Sequence, residues 1–203
     1  MEIEKIYKNA KVYGIPIIKS ESHKLLSALV EKHKPKHVLE IGTAVGYSGI
    51  TILSATDGNL VTIEHNKDFI KQAKKNFENY NFSNRVKIID GDCLVELARL
   101  VNDPKYQGYF DFIFLDGPKA QYDSMLEGLI YLLANNGIFL ADNVLFRGYT
   151  SGEIKAPTRR YKTIIKRLNQ FIENCKNNQN LTDFELITIE DGLIFAKKVR
   201  NEK

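Results

Sequence analysis

Five short apolar runs separated by stretches of helical periodicity constrain this chain more than any other feature of its sequence. The runs His37–Ile41, Leu60–Glu64, Val86–Ile89, Phe110–Leu115 and Gly137–Ala141 are rich in β-branched and aromatic residues. They read as strands covered on both faces. Helical patterns fall between them at Tyr47–Ala55, Lys67–Tyr80, Cys93–Val101 and Gln121–Leu133. Alternation of this kind predicts an α/β fold with a mainly parallel sheet and helices on both faces. Two further helices precede the first strand, the second running from about Glu21 to His33 and ended by Pro35. The runs Phe184–Ile189 and Leu193–Lys197 flank Glu190-Asp191-Gly192, and Asp-Gly between two such runs predicts an antiparallel hairpin. The polar stretch Asn174–Thr182 reads as a surface connection.

With 203 residues the chain reads as one domain, 1–203, with N-terminal helices over about 1–34 and a sheet core over about 36–203. A net charge of +4 permits a nucleic-acid partner without requiring one. The two cysteines, Cys93 and Cys175, are far apart and form no C-x-x-C pair, which argues against a disulfide framework or zinc site. No apolar run reaches membrane-spanning length and the N-terminus lacks an apolar leader, so a cytoplasmic protein is expected.

The first strand ends at Gly42, and Gly46 follows four residues later. The spacing is G-x-x-x-G, with Ala44 where a dinucleotide-binding turn has its middle glycine. A pyrophosphate needs close backbone approach there, whereas a cofactor without phosphates does not. An NAD-dependent oxidoreductase is therefore a distant alternative, and a tight turn with no ligand is the plain one. Glu64 ends the second strand, where an acid accepts hydrogen bonds from ribose hydroxyls. Asp92-Cys93 follows the third strand, on the side of a base edge.

Asp116 and Asp142 each follow an apolar strand, and Asn143 adds a neutral carbonyl oxygen. If the two strands are parallel neighbours, both acids emerge at the carboxyl edge, where ligands bind in open α/β sheets. Two carboxylates and an amide oxygen suit Mg²⁺ or another hard divalent cation. His23, His33, His37 and His65 are scattered and read as structural or solvated. Lys119 is expected on the first turn of the helix after Asp116. A cation beside it lowers its pKa, so that it takes a proton from a hydroxyl or holds the resulting oxyanion. Strand-end capping is the plain alternative for each acid, and a solvated surface position for the lysine.

Three motifs in order, Glu40-Ile-Gly-Thr-Ala-Val-Gly-Tyr-Ser48, Asp116-x-x-Lys119-x-x-Tyr122 and Asp142-Asn-Val-Leu-Phe-Arg-Gly148, resemble those of the divalent-cation-dependent O-methyltransferases of catechol and caffeoyl-CoA type. The resemblance runs from about Gly14 to Val199. It implies the Rossmann-like class I methyltransferase fold, a mostly parallel seven-stranded sheet with a C-terminal antiparallel hairpin. It also implies S-adenosylmethionine as cofactor. Gly42 and Ser48 then line the methionine side, Glu64 the ribose and Asp92-Cys93 the adenine. Glu40, Thr43, Gly46 and Asp116 complete the cofactor set, and Ile18 matches a stretch that closes over it. The metal ligands become Asp116, Asp142 and Asn143, with Lys119 as base. Relatives of this kind are often dimers, so a homodimer is expected.

Within the family, Asp142–Gly148 followed by Arg159-Arg160-Tyr161-Lys162-Thr163-Ile164 resembles the bacterial tRNA 5-hydroxyuridine methyltransferases. Plant-type relatives usually carry tryptophan near the position of Phe146, and this chain has none. The resemblance thus implies a tRNA substrate, a small catechol-like metabolite being the alternative. The acid-free segment Lys155–Arg167 offers Arg159, Arg160 and Lys162 to RNA phosphates, or is a solvated helix face. Arg147 contacts a phosphate or braces the metal loop.

Overall fold

The computed structural model describes residues 2–146 and 158–200. The chain divides into two compact units, Met1–Glu96 and Leu97–Lys203.

In the first unit, helices α1 (Glu2–Val12) and α2 (Ser20–His33) lead into strand β1 (His37–Ile41). Helix α3 (Tyr47–Ala55), strand β2 (Asn59–Glu64), helix α4 (Lys67–Asn79) and strand β3 (Val86–Asp90) follow. β1 pairs in parallel with β2, and β2 in parallel with β3. Burial explains the order: Val38, Leu39 and Ile41 are fully covered, whereas β3 is half-exposed, as an edge strand tolerates. Helix α4 starts where the Asn66 side chain accepts hydrogen bonds from the backbone N–H groups of Asp68 and Phe69, a cap that contributes about 1 kcal/mol. Its buried residues Ile70, Ala73 and Phe77 recur at three- and four-residue spacing and define one apolar face. Helix α5 (Cys93–Val101) carries the chain into the second unit.

The second unit begins with strand β4 (Phe110–Leu115) and helix α6 (Tyr122–Leu132), which leads directly into strand β5 (Leu133–Asp142). Helix α7 (Arg159–Asn177) and strands β6 (Leu181–Ile187) and β7 (Leu193–Lys198) complete it. β4 and β5 are parallel, while β7 lies antiparallel between β5 and β6. The expected hairpin is present, so the seven strands among the described residues are mainly parallel with an antiparallel C-terminal pair. Phe110, Phe112, Phe114, Phe139 and Phe171 are all fully covered, each contributing roughly 1.5–3 kcal/mol by leaving water.

Several boundaries differ from the sequence reading, among them the first strand of the hairpin, read as Phe184–Ile189 and found at Leu181–Ile187. β5 begins at Leu133 rather than Gly137, because a register shift between Phe110 and Phe112 lets the strand start around the left-handed Asn136. Asn174–Thr182 is not a connection throughout: α7 continues to Asn177 because Cys175 is buried on its inner face, and β6 starts at Leu181. Lys119 belongs to a separate 3₁₀ turn, Lys119–Gln121, entered through Pro118, and α6 starts only at Tyr122. No helix among the described residues is long and apolar enough to cross a membrane.

Candidate active site

In the first unit, three alternate residues with positive φ make the turn after β1. Gly42, Ala44 and Gly46 have φ of 101°, 44° and 83°. A Cβ on Gly46 would stand a tight 3.1 Å from the Phe77 ring, and the positive φ already favours glycine there. Ala44 accepts a left-handed backbone because its N–H is held by Glu64 Oε2 at 3.0 Å. The other Glu64 oxygen accepts from the N–H groups of His65 and Asn66, both at 2.9 Å. Three of about four lone-pair sites on this carboxylate are therefore engaged, leaving capacity for one more donor.

Behind the turn lies a buried hydroxyl–carboxylate network. Ser48 Oγ donates to Glu40 Oε1 at 2.5 Å and Thr62 Oγ1 donates to Glu40 Oε2 at 2.6 Å. Thr43 Oγ1 stands 2.6 Å from Thr62 Oγ1. Glu40 and Thr43 are fully covered, and Ser48 nearly so. Glu40, Thr43 and Ser48, expected among the cofactor residues, thus turn their polar atoms on one another. Ile18 is buried in the segment between α1 and α2. Asp92 caps α5, its Oδ1 accepting from the N–H groups of Leu94 and Val95. Burial, with Asp92 adding to it, pushes the Cys93 thiol up to about 11, so it behaves as a small neutral side chain.

In the second unit, Asp116 follows the last residue of β4 and Asp142 ends β5. Because the two strands are parallel neighbours, with Leu115 opposite Ala141, both acids leave the sheet at its carboxyl edge. This is the geometry the sequence predicted. Asp142 is almost fully buried. Its Oδ1 accepts from the Asn143 N–H at 2.8 Å, while its Oδ2 is buried without a hydrogen-bond partner. Burial, then the charge of Asp116, pushes the Asp142 carboxyl up to about 7. Asn143 adopts a left-handed φ of 62°. The following loop is supported from below, where the Val144 and Leu145 N–H groups donate to the carbonyls of Gly192 and Asp191 at 3.1 and 2.8 Å.

Lys119 Nζ lies 2.9 Å from Asp116 Oδ1, and both side chains are mostly covered. Burial alone would lower its pKa, but the Asp116 charge and hydrogen bond outweigh that and hold the lysine above its ordinary value. The depression expected of Lys119 belongs to the lysine beside a bound cation; in this structure Asp116 holds the ammonium. Sequence reasoning missed Tyr122, fully buried, whose hydroxyl reaches the carbonyls of both Leu115 and Asp142. The Asp116-x-x-Lys119-x-x-Tyr122 spacing was its only signal.

The donor set fits a hard cation. The described residues hold no group of three or more His, Cys, Asp and Glu side chains suited to a metal. Two carboxylates and an amide leave positions for water or substrate, as Mg²⁺ prefers. A buried carboxylate oxygen lacking any donor is the atom such an ion satisfies. The histidines stay outside this set: His23 stacks on Tyr47 with its pKa lowered by burial, and His65 is exposed beside Glu64. Of the basic residues expected to meet RNA, Arg147 lies outside the described residues, as does the start of the Lys155–Arg167 segment. Arg159 begins α7 and Arg160 follows it; Lys162 and Lys166 are exposed further along. Arg167 instead braces the 3₁₀ turn, donating to the Ala120 carbonyl at 3.0 Å.

Comparison with known proteins agrees with this architecture. A family model described as O-methyltransferase matches residues 3–199. A structure from Staphylococcus aureus, described provisionally as a caffeoyl-CoA O-methyltransferase, superposes with a TM-score of 0.86 at 31% identity over 98% of this chain and 92% of that one. The SAH-bound Podospora anserina methyltransferase PaMTH1 gives a TM-score of 0.78 at 28% identity over 91% and 80%. Caffeoyl-CoA O-methyltransferase 2 of Petunia hybrida is 28% identical over 151 residues, which are 73% of this chain and 62% of the petunia protein, less than two thirds of its length. The chain belongs to the O-methyltransferase family.

Proposed function

We propose that this protein transfers a methyl group from S-adenosylmethionine to a hydroxyl that chelates a divalent cation, and that its acceptor is 5-hydroxyuridine in tRNA, giving 5-methoxyuridine. The observation that carries the cation dependence is the buried, partnerless Oδ2 of Asp142 beside the charge of Asp116. Asp116, Asp142 and Asn143 would hold the ion, which when bound supplies Lewis-acid polarisation of the acceptor hydroxyl. The Gly42–Gly46 turn and the remaining acceptor capacity of Glu64 would hold the sulfonium cofactor, which supplies the electrophilic methyl.

The chain's own residues supply orientation and proton handling. Asn143, left-handed at φ 62° and followed by a loop hydrogen-bonded to Asp191 and Gly192, would add a neutral oxygen where a third carboxylate would overcharge the site. Lys119 stands within hydrogen-bond reach of Asp116; a cation competing for that carboxylate would weaken the pairing and lower the lysine's pKa. The lysine would then lose its own proton to solvent before taking that of the acceptor hydroxyl, or as ammonium would hold the oxyanion formed. Positioning and fixed charge then account for most of the rate enhancement.

The tRNA acceptor is supported by the Asp142–Gly148 and Arg159–Ile164 runs, by the absence of tryptophan and by the exposed Lys162 and Lys166 of α7. A hydroxyuridine presents a hydroxyl beside a carbonyl and so matches a catechol in chelating power. A small catechol-like acceptor is the second reading, favoured by the caffeoyl-CoA naming of the relatives. Labelled-methyl transfer to hydroxyuridine-containing tRNA and to catechols decides between them. Turnover on tRNA is expected, and turnover on catechols alone would sink the first reading.

A further inference from the structure

The β4–β5 ladder stops one rung short of the chemistry. Its last pair is Leu115 with Ala141, and the next residue on each strand is the acid, Asp116 on one side and Asp142 on the other. A parallel ladder fixes neighbouring strands at about 4.8 Å, but only as far as its hydrogen bonds reach. Beyond that point Asp142 is still paired with Leu193 of β7, but no rung of the β4–β5 ladder fixes its separation from Asp116.

One side chain occupies the place of the missing rung. The Tyr122 hydroxyl lies 3.1 Å from the Asp142 carbonyl oxygen and 3.3 Å from the Leu115 carbonyl oxygen. A phenol has a single O–H proton, so it donates to the two carbonyls as a shared, three-centre bond. The ring is fully buried and set edge-on against Phe171 at 5.3 Å, which in turn packs edge-on against Phe139 of β5 at 6.4 Å. The hydroxyl therefore has little freedom to leave. Tyr122 also closes the 3₁₀ turn through its N–H to the Lys119 carbonyl, and its ring lies 5.8 Å from Lys119 Nζ. The same residue thus touches the backbone behind one acid, the backbone of the other and the lysine between them.

We propose that Tyr122 is a positioning residue that sets the separation of Asp116 and Asp142, and so the affinity and size preference of the cation they hold. The inference rests on the cation reading above. The competing explanation is that the hydroxyl merely satisfies itself while the ring fills the core. The two differ in outcome. A core-filling role predicts a loss of stability alone, whereas a positioning role predicts a change in cation binding by molecules that remain folded.

The test is Tyr122→Phe in the full chain, which keeps the ring and deletes only the shared donor. Mn²⁺ binding is followed by the paramagnetic resonance signal of the free ion, with Mg²⁺ and Ca²⁺ as competitors, and S-adenosylmethionine affinity serves as the measure of retained fold. We expect the Mn²⁺ Kd to rise roughly tenfold, the range typical when a group supporting a metal ligand is lost. The Mg²⁺-over-Ca²⁺ preference should narrow, with cofactor affinity unchanged within twofold. A rise in the Mn²⁺ Kd of less than threefold, or a parallel fall in cofactor affinity marking general loosening, overturns the proposal. Wild-type protein that binds Mn²⁺ no better than Asp142→Ala would overturn the cation reading itself, and this inference with it. Strong wild-type binding matched by Tyr122→Phe would overturn this inference alone.

Discussion

The glycine turn of the first unit and the acid edge of the second are built on opposite principles. Behind the turn, Glu40 accepts from two hydroxyls, and Glu64 accepts from three backbone N–H groups. At the acid edge, Asp142 keeps a buried oxygen with no hydrogen-bond partner, and the Lys119 ammonium is paired with Asp116 rather than with it. A polar group satisfied internally stabilises the fold and offers a ligand shape. A buried polar group left unsatisfied costs stability and offers a ligand free energy. The turn is a mould, and the acid edge is a demand.

That contrast predicts effects of opposite sign. Asp142→Ala should lower cation-stimulated methyl transfer about a thousandfold or more, with the melting temperature unchanged or raised. Initial rates with and without Mg²⁺, alongside a melt, check both halves, and full activity would break the comparison outright. Glu40→Ala should do the reverse to stability. It strands two buried hydroxyls and opens a cavity, costing about 3–4 kcal/mol in denaturant unfolding. A cost below about 1 kcal/mol would show that the network is not what shapes the turn.

Asp142→Asn sharpens the same point through pH. Below about pH 4 the wild-type carboxyl is protonated in both folded and unfolded chains, and burial penalises neither. As pH rises from about 4 to 7, the unfolded chain ionises first, because the folded group titrates near 7. Wild-type stability in the absence of divalent ions therefore falls across that window, and the asparagine variant escapes the fall. Its advantage should grow from nothing to about 2–4 kcal/mol at pH 8, read by urea unfolding in chelator. A pH-independent difference would remove the claim that Asp142 carries an unmet charge.

The smallest expected effect concerns the hairpin beneath the acid loop. Gly192 has φ 74°, and a Cβ there would stand 2.3 Å from Leu145 Cγ. Gly192→Ala should cost about 1–3 kcal/mol and weaken cation binding by displacing the loop after Asn143. Leu145→Ala in the same chain should recover part of both losses, measured by unfolding and Mn²⁺ titration.

How much of this the sequence disclosed follows from the range of the contacts involved. Strand-ending acids are local, since Phe110–Leu115 and Phe139–Ala141 are apolar runs that stop at a carboxylate, and both acids were found. The hairpin was legible because Asp-Gly between apolar runs has few other uses. Ala44 in a left-handed conformation was not, because what holds it is Glu64, twenty residues away. The lysine's pairing was not legible for a related reason: the sequence shows Lys119 three residues after Asp116, but that its ammonium meets that carboxylate emerges only once the turn between them is folded. Tyr122 stood in a quoted motif yet carried no role, because a phenol's acceptors are invisible until two strand ends are brought side by side.

The placement of β7 between β5 and β6 has a consequence for biosynthesis. β5 receives one neighbour from β4 early, but the other belongs to residues 193–198, more than fifty positions downstream. Until the ribosome has delivered that segment, the strand bearing Asp142 is an open edge, exposed to mispairing with other nascent chains. Synthesis thus completes the acid-bearing half of the sheet late, and a stall between the two strands would leave an aggregation-prone partial product.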